Sequence, residues 1–348
     1  MQPSDTQEPL AGGKKRRTTV IRGVLWTSLC VLAVTAVAGC WIAWYAFTPG
    51  PDIDQEQSLV LIPRGSSVGN ITKLLADSGL IYDDIRFGLL TKIMQVSAQL
   101  PAGEFELSNG QKPIDLIDEL VHAKPVQHRI TISEGLTIDQ VADIFSAGGW
   151  IEKPRFIELT SDPSLIEELE LGKIDSLEGY LFPDTYLLIK PPPGEAALIK
   201  KLVGRALSVW NELEAGEQRL TRHEVFTLAS IVEKETGRAE ERPLIASVFL
   251  NRLQRNMKLQ SDPTVIYGIK NFKGPLTKAD LKTQTPYNTY QIPGLPPGPI
   301  CNPGRDALAA VLAPADSNYL YFVSKNDGSH QFSKNLREHN RAVRTYQR

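Results

Sequence analysis

The sequence predicts an α+β protein: a single N-terminal transmembrane helix, a small α+β module and a larger mixed α/β domain. Three observations carry this expectation. An uncharged run extends from Val24 to Phe47, a strand, glycine turn and helix pattern occurs twice at an offset of 70 residues, and the densest helical patterning begins at Thr221. With 348 residues, the chain is long enough for an anchor and two modest domains, since domains usually run about 100 to 200 residues.

The run from Val24 to Phe47 (VLWTSLCVLAVTAVAGCWIAWYAF) has the length a helix needs to cross about 30 Å of hydrocarbon. Lys14, Lys15, Arg16, Arg17 and Arg22 precede it, whereas Asp52, Asp54 and Glu56 follow it before the next basic residue, Arg64. The positive-inside rule therefore predicts a cytoplasmic tail over 1–23, a transmembrane helix over 24–47 and an exported remainder, which is a single-pass inner-membrane topology with the bulk periplasmic. Trp41, Trp44 and Tyr45 fall at the outer end, where amphipathic rings suit the headgroup layer. A competing reading takes Val37 to Cys40 as a lipoprotein cleavage motif with lipid on Cys40. Against it, Trp41 to Phe47 continues the apolar run past that point.

Residues 48–55 (TPGPDIDQ) read as a linker. In the repeat that follows, Leu61–Ile81 matches Thr131–Ile151: Gly65 aligns with Gly135, Val68 with Ile138 and Gly79 with Gly149. Each copy runs from a short β segment through a Gly turn into an amphipathic helix closed by a second Gly. This order resembles LysM-type glycan-binding modules, so 56–154 is expected to be a LysM-like α+β module, with a plain spacer as the alternative. The remainder, 155–348, is the expected catalytic domain. Within it PPPGE (191–195) punctuates a helical region running on to Leu213. Helices follow at Arg222–Thr236 and Glu240–Asn256, then a strand-like TVIYGI and a Pro/Gly-rich loop from Pro286 to Gly304.

Composition narrows the chemistry. A formal net charge of -2 and a pI near 6.3 provide no broad basic field, so nucleic acid is not an expected partner. Cys30 and Cys40 lie in the apolar run, leaving Cys301 without an intramolecular partner outside it, and the five histidines lack the close spacing of a zinc site. No metal and no cofactor are expected. The helix RHEVFTLASIVEKET (222–236) carries two acids two positions apart, which point about 200° apart around a helix. Glu235 continues the stripe of Leu228, Ile231 and Val232, whereas Glu233 follows the more mixed Phe226, Ala229 and Ser230. Apolar surroundings raise a carboxyl pKa toward the range where it donates a proton near neutrality. Glu235 is therefore the expected acid, although a Glu at the edge of an apolar stripe is also a common solvated helix end.

At this point the sequence resembles the endolytic murein transglycosylase family (the MltG or YceG type). The carrying segments are EGYLFPDTY (178–186), LASIVEKET (228–236), ASVFLNRL (246–253), LQSDPTVIYG (259–268), YNTYQIPGLPPGPICNPG (287–304) and YLYFVSKNDGSHQFSKNLREHN (319–340). The resemblance implies cleavage of the β-1,4 bond between N-acetylmuramic acid and N-acetylglucosamine inside nascent peptidoglycan strands, with 1,6-anhydromuramoyl ends and terminated elongation. It implies the second acid of EKET, Glu235, as the catalytic residue, glycan strands as substrate, and peptidoglycan synthases of elongation or division as partners. Tyr180, Phe182 and Tyr186 stand where some members carry Trp, a departure that bears on sugar stacking.

Around the acid, expected substrate-binding residues are Glu178, Asp184, Gln260, Asp262, Thr264, Tyr267, Tyr287, Asn288 and Tyr290, polar or aromatic groups in segments built of turns. Each has a plainer reading: Asp262 before Pro263 starts a turn, and Asn288 and Asp184 cap loops. Arg252 is read as a carboxylate partner or as a complement to its helix dipole. Ser329 and His330 are adjacent but do not by themselves make a nucleophile pair. Two alternative functions remain. A hydrolase would use Glu233, Glu178 or Asp262 as a second carboxylate and give reducing ends. A non-catalytic, membrane-anchored peptidoglycan-binding scaffold would work unchanged without Glu235.

Overall fold

The computed structural model describes residues 13–51, 55–213 and 220–347, with side chains from residue 21 onward. Lys14 to Arg17, whose charges set the expected orientation, and Asp52 and Asp54 of the linker lie outside the described side chains. The architecture is mixed α+β and falls into two compact units, residues 1–127 with 189–191 and residues 128–188 with 192–348.

The first unit contains α1 (Gly13–Phe47), β1 (Gln57–Ile62), α2 (Val68–Asp77), α3 (Arg86–Ile93), β2 (Gly103–Ser108) and α4 (Pro113–His122). Ile21–Phe47 of α1 is long and apolar enough to cross a membrane, with a mean hydropathy of 1.9, and the helix passes through Cys40 without a break. Trp44 is exposed, but Tyr45 and Ala46 are buried in the core of this unit, and the Arg86 guanidinium lies 4.5 Å from the Tyr45 ring centroid. β1 and β2 pair antiparallel from Gln57↔Ser108 to Ile62↔Gly103. Alternate residues of β1, Val60 and Ile62, point into the core with Phe105, Leu107, Leu75, Phe87 and Leu116, the period of two that a half-buried strand requires.

The second unit begins with β3 (Gln127–Thr131), α5 (Ile138–Ala147), α6 (Lys153–Leu159), α7 (Pro163–Glu168) and β4 (Thr185–Ile189), with β3 and β4 forming a two-stranded sheet. It continues through α8 (Glu195–Glu212), α9 (Arg222–Glu235), α10 (Arg242–Gln254), α11 (Asp262–Gly268) and α12 (Arg305–Leu312). It ends with the antiparallel hairpin β5 (Tyr321–Ser324) and β6 (His330–Ser333), then α13 (Leu336–Tyr346).

The 70-residue repeat is real in the backbone. α2 and α5 are ten-residue helices in register, capped by Ser67 and Thr137 whose hydroxyls accept from Asn70 and Gln140 N–H. Gly65 and Gly135 have φ of 75° and 76°, a left-handed conformation that a side chain would strain. The first copy lies in the first unit and the second copy in the second unit.

TVIYGI differs from expectation: Thr264 to Gly268 is helical, forming most of α11, and not a strand, and Ile269 follows the helix end. Its β-branched residues favour strand, but Ser261-Asp262-Pro263 ahead of them is a helix start, with Pro in the first turn and Asp complementing the dipole. The Pro286–Gly304 stretch contains no regular helix or strand.

Candidate active site

α9 is the central helix of the second unit. It starts with a capping box, Thr221 Oγ1 accepting from Glu224 N–H while the Glu224 carboxylate accepts from Thr221 N–H. Every residue from Val225 to Val232 is buried, so the helix is covered on all sides and its apolar stripe does not by itself choose between the two acids. Position and partners separate them. Glu233 is locked in place: Oε1 accepts from Arg242 Nη2 at 3.0 Å, and Oε2 from Gly304 N–H at 2.9 Å. Glu235 is the last helical residue, because Thr236 leaves the helix with extended dihedrals, φ -147° and ψ 138°.

Glu235 opens onto a cleft of about 480 Å³ whose walls include Arg252, Gln260, Asp262, Tyr290, Tyr321 and His330. Its side chain retains some access to the cleft, but the surrounding protein strips most of its solvation and pushes its pKa up to about 7. Three further groups act on it. Ser261 Oγ donates to Glu235 Oε1 at 2.5 Å and favours the anion, neighbouring Asp262 disfavours it, and Arg252 favours it. The carboxyl also sits at the negative end of the α9 dipole, which disfavours ionisation. The balance leaves a group that both donates and accepts a proton near neutral pH.

The elements around the acid are tied together by hydroxyls and one buried cation. Ser261 N–H donates to Thr289 Oγ1, Thr264 Oγ1 donates to the Ser261 carbonyl, and Thr264 and Thr289 hydroxyls meet at 2.8 Å. Arg252 is buried; its Nε donates to Leu320 O and its Nη1 to Leu259 O, and its guanidinium lies 5.2 Å from the Tyr321 ring centroid. Burial holds its pKa below the usual arginine value.

The expected site residues divide by place. Gln260, Asp262 and Tyr290 share the cleft with Glu235, and Tyr290 Oη donates to Asp262 Oδ1 at 2.6 Å. Thr264 is fully buried beneath it in the hydroxyl network. Asn288 is also fully buried; its amide donates to Leu281 O and Thr283 O, shaping the loop that carries Tyr290. Glu178, Tyr267 and Tyr287 form a separate cluster. Glu178 accepts from Ile138 N–H at the start of α5 and from Tyr267 Oη, burial pushes its pKa up to about 7, and the two tyrosine rings meet edge-on at 4.8 Å. Asp184 is paired with Arg205 at 2.7 Å, which holds its carboxyl below the usual range.

Ser329 and His330 are not a pair: Ser329 Oγ donates to Asp327, and His330 Nδ1 meets Glu241 at 2.6 Å. Ser261, Tyr321 and His339 are cleft-side groups that sequence reasoning missed. Ser261 sits at a helix start, a visible signal, but its contact with Glu235 spans 26 residues. Among the described residues no group of three or more His, Cys, Asp or Glu side chains is placed to hold a metal ion.

Fold and site together define an α+β protein whose polar, aromatic-edged cleft presents a carboxyl group poised to exchange a proton at neutral pH. Residues 60–345 match the YceG-like family, and the chain belongs to that family. It is 34% identical over 301 residues to an endolytic murein transglycosylase of Bacillus subtilis, covering 82% of this chain and 83% of that protein. It is 30% identical over 363 aligned residues to an endolytic murein transglycosylase of Streptococcus pneumoniae, covering 93% of this chain but 65% of the relative's length. The crystal structure of a yceG-like protein from Listeria monocytogenes superposes with a TM-score of 0.57 at 34% identity, covering 82% of this chain and 98% of that one.

Proposed function

We propose that the protein is a peptidoglycan lytic transglycosylase that cuts inside nascent glycan strands, at the β-1,4 bond between N-acetylmuramic acid and N-acetylglucosamine, and so ends strand elongation. The observation that carries this reading is Glu235, a carboxyl with a pKa of about 7 at the cleft, in a chain of the YceG-like family. Glu235 protonates the glycosidic oxygen as the bond from the muramoyl C1 breaks. The muramoyl C6 hydroxyl then bonds to C1, and its proton passes to the Glu235 carboxylate. The products are an N-acetylglucosamine end with a free 4-hydroxyl and a 1,6-anhydromuramoyl end, and the acid returns to its starting state.

One carboxyl is enough because nucleophile and leaving group belong to one substrate and are held together. Hydrolysis would need a second carboxylate to activate water. Glu233 is committed to Arg242 and Gly304, and Asp262 accepts from Tyr290. Ser261, donating to Oε1, leaves Oε2 to carry the mobile proton and continues to stabilise the carboxylate between the two transfers.

The α1 helix supports a single-pass anchor, and the basic residues ahead of it in the sequence favour a cytoplasmic tail with the rest periplasmic, where the synthases that extrude new strands would be its neighbours. On this reading 56–154 serves as a LysM-like holding module and 155–348 carries the chemistry. Digestion of purified peptidoglycan by the full-length protein in ¹⁸O-labelled water tests the reaction type. Anhydromuramoyl products free of ¹⁸O are expected; ¹⁸O-labelled reducing ends would make the protein a hydrolase.

A further inference from the structure

The C-terminal helix α13 presents one face to the cleft, Leu336, His339 and Val343, spaced by three and four residues, and Gln347 just past its end lines the cleft too. His339 stacks on Tyr321, ring centroids 5.2 Å apart and planes 26° apart. The charged groups of the cleft and His330 are engaged, Glu235 with Ser261, Asp262 with Tyr290, His330 with Glu241 and Arg252 with backbone carbonyls. His339 is different. Its Nδ1 is sealed from solvent with no hydrogen-bond partner among the described residues. No protein group bonds its Nε2 among those residues either.

We propose that His339 is a substrate-contact residue, whose Nε2–H donates to an amide carbonyl of the glycan strand and fixes the strand in the cleft that holds the acid. The proton belongs on Nε2 because an N–H sealed at Nδ1 without an acceptor is costlier than a bare lone pair there. Burial and nearby Arg252 hold the ring's pKa below the ordinary histidine value, so it is a neutral donor, matched to a neutral acceptor. A murein strand offers such carbonyls on its 2-acetamido groups and at the lactyl link to the peptide stem. The proposal rests on the reading of this cleft as the glycan site.

The test is steady-state kinetics of the full-length wild type, His339→Phe and His339→Gln, on strands with peptide stems and on strands stripped by an amidase. Phe keeps the stacking on Tyr321 and Gln keeps an N–H donor. His339→Phe is expected to raise KM about tenfold, as for loss of one hydrogen bond, with kcat within about twofold, and His339→Gln is expected to recover most of that loss. A KM penalty on both substrates assigns the 2-acetamido carbonyl; one confined to stem-bearing strands assigns the lactyl amide. An unchanged KM, an equal loss in Phe and Gln variants, or a loss in kcat alone would overturn the proposal. Strand affinity in Glu235→Gln, with and without His339→Phe, reads the contact independently of turnover. His339→Ala replaces the Phe variant if that chain does not fold. Absence of product from wild type would count against the proposed function and not against the contact.

Discussion

Ser261→Ala isolates the hydrogen bond that opposes burial in setting the proton affinity of Glu235. The hydroxyl donates at 2.5 Å to Oε1, and its effect is to favour the carboxylate against the burial that disfavours it. A hydrogen bond to a charged group contributes about 1.5 to 3 kcal/mol. At about 1.4 kcal/mol per pKa unit, its loss raises the Glu235 pKa by roughly one to two units above about 7. In the proposed mechanism the first chemical step needs the protonated acid, so kcat/KM is expected to fall as pH rises through that pKa, and the variant's falling limb to move to higher pH by the same amount. The assay is release of anhydromuropeptides against pH at low substrate. A limb that stays in place would refute the role given to Ser261, and one that moves down would mean that Ser261 accepts from the acid instead.

Other consequences follow from the same charges. Folding holds the Glu235 proton more tightly than the unfolded chain does, so its contribution is complete below pH 4.5 and declines as pH rises to about 7. Glu235→Gln removes that loss. Thermal or urea unfolding should show the variant gaining on wild type between pH 4.5 and 8, to a ceiling of about 3 kcal/mol; a gain that is flat with pH would contradict the raised pKa. Arg242→Ala strands Glu233, whose side chain is 6% exposed, and should cost about 3 to 5 kcal/mol by urea denaturation. Replacing both by Met should recover most of that; equal losses in single and double variants would show that packing, and not the unpaired charge, dominates.

Local signals were readable where one residue's chemistry dictates the backbone. The two copies of the repeat share hydroxyl caps and left-handed glycines, and α9 starts at its capping box. The sequence likewise pointed to Glu235 and to Gln260, Asp262 and Tyr290, which do line one cleft. It could not separate these from Glu178, Tyr267 and Tyr287, because the second cluster is joined by contacts such as Tyr267 to Glu178, 89 positions apart. The strand expected at TVIYGI shows β propensity losing to a helix start two residues earlier. Ser261 and His339 stayed hidden for the same physical reason. A hydroxyl or imidazole acquires its role from what faces it, and Glu235 and Tyr321 reach them only through the tertiary fold.

The central claim is that Glu235 carries the proton in a transglycosylation. Mass spectrometry of muropeptides released from purified peptidoglycan by full-length wild type beside Glu235→Gln tests it most directly. Anhydromuramoyl products from wild type and none from the variant are predicted. Undiminished anhydromuramoyl products from Glu235→Gln would contradict the account.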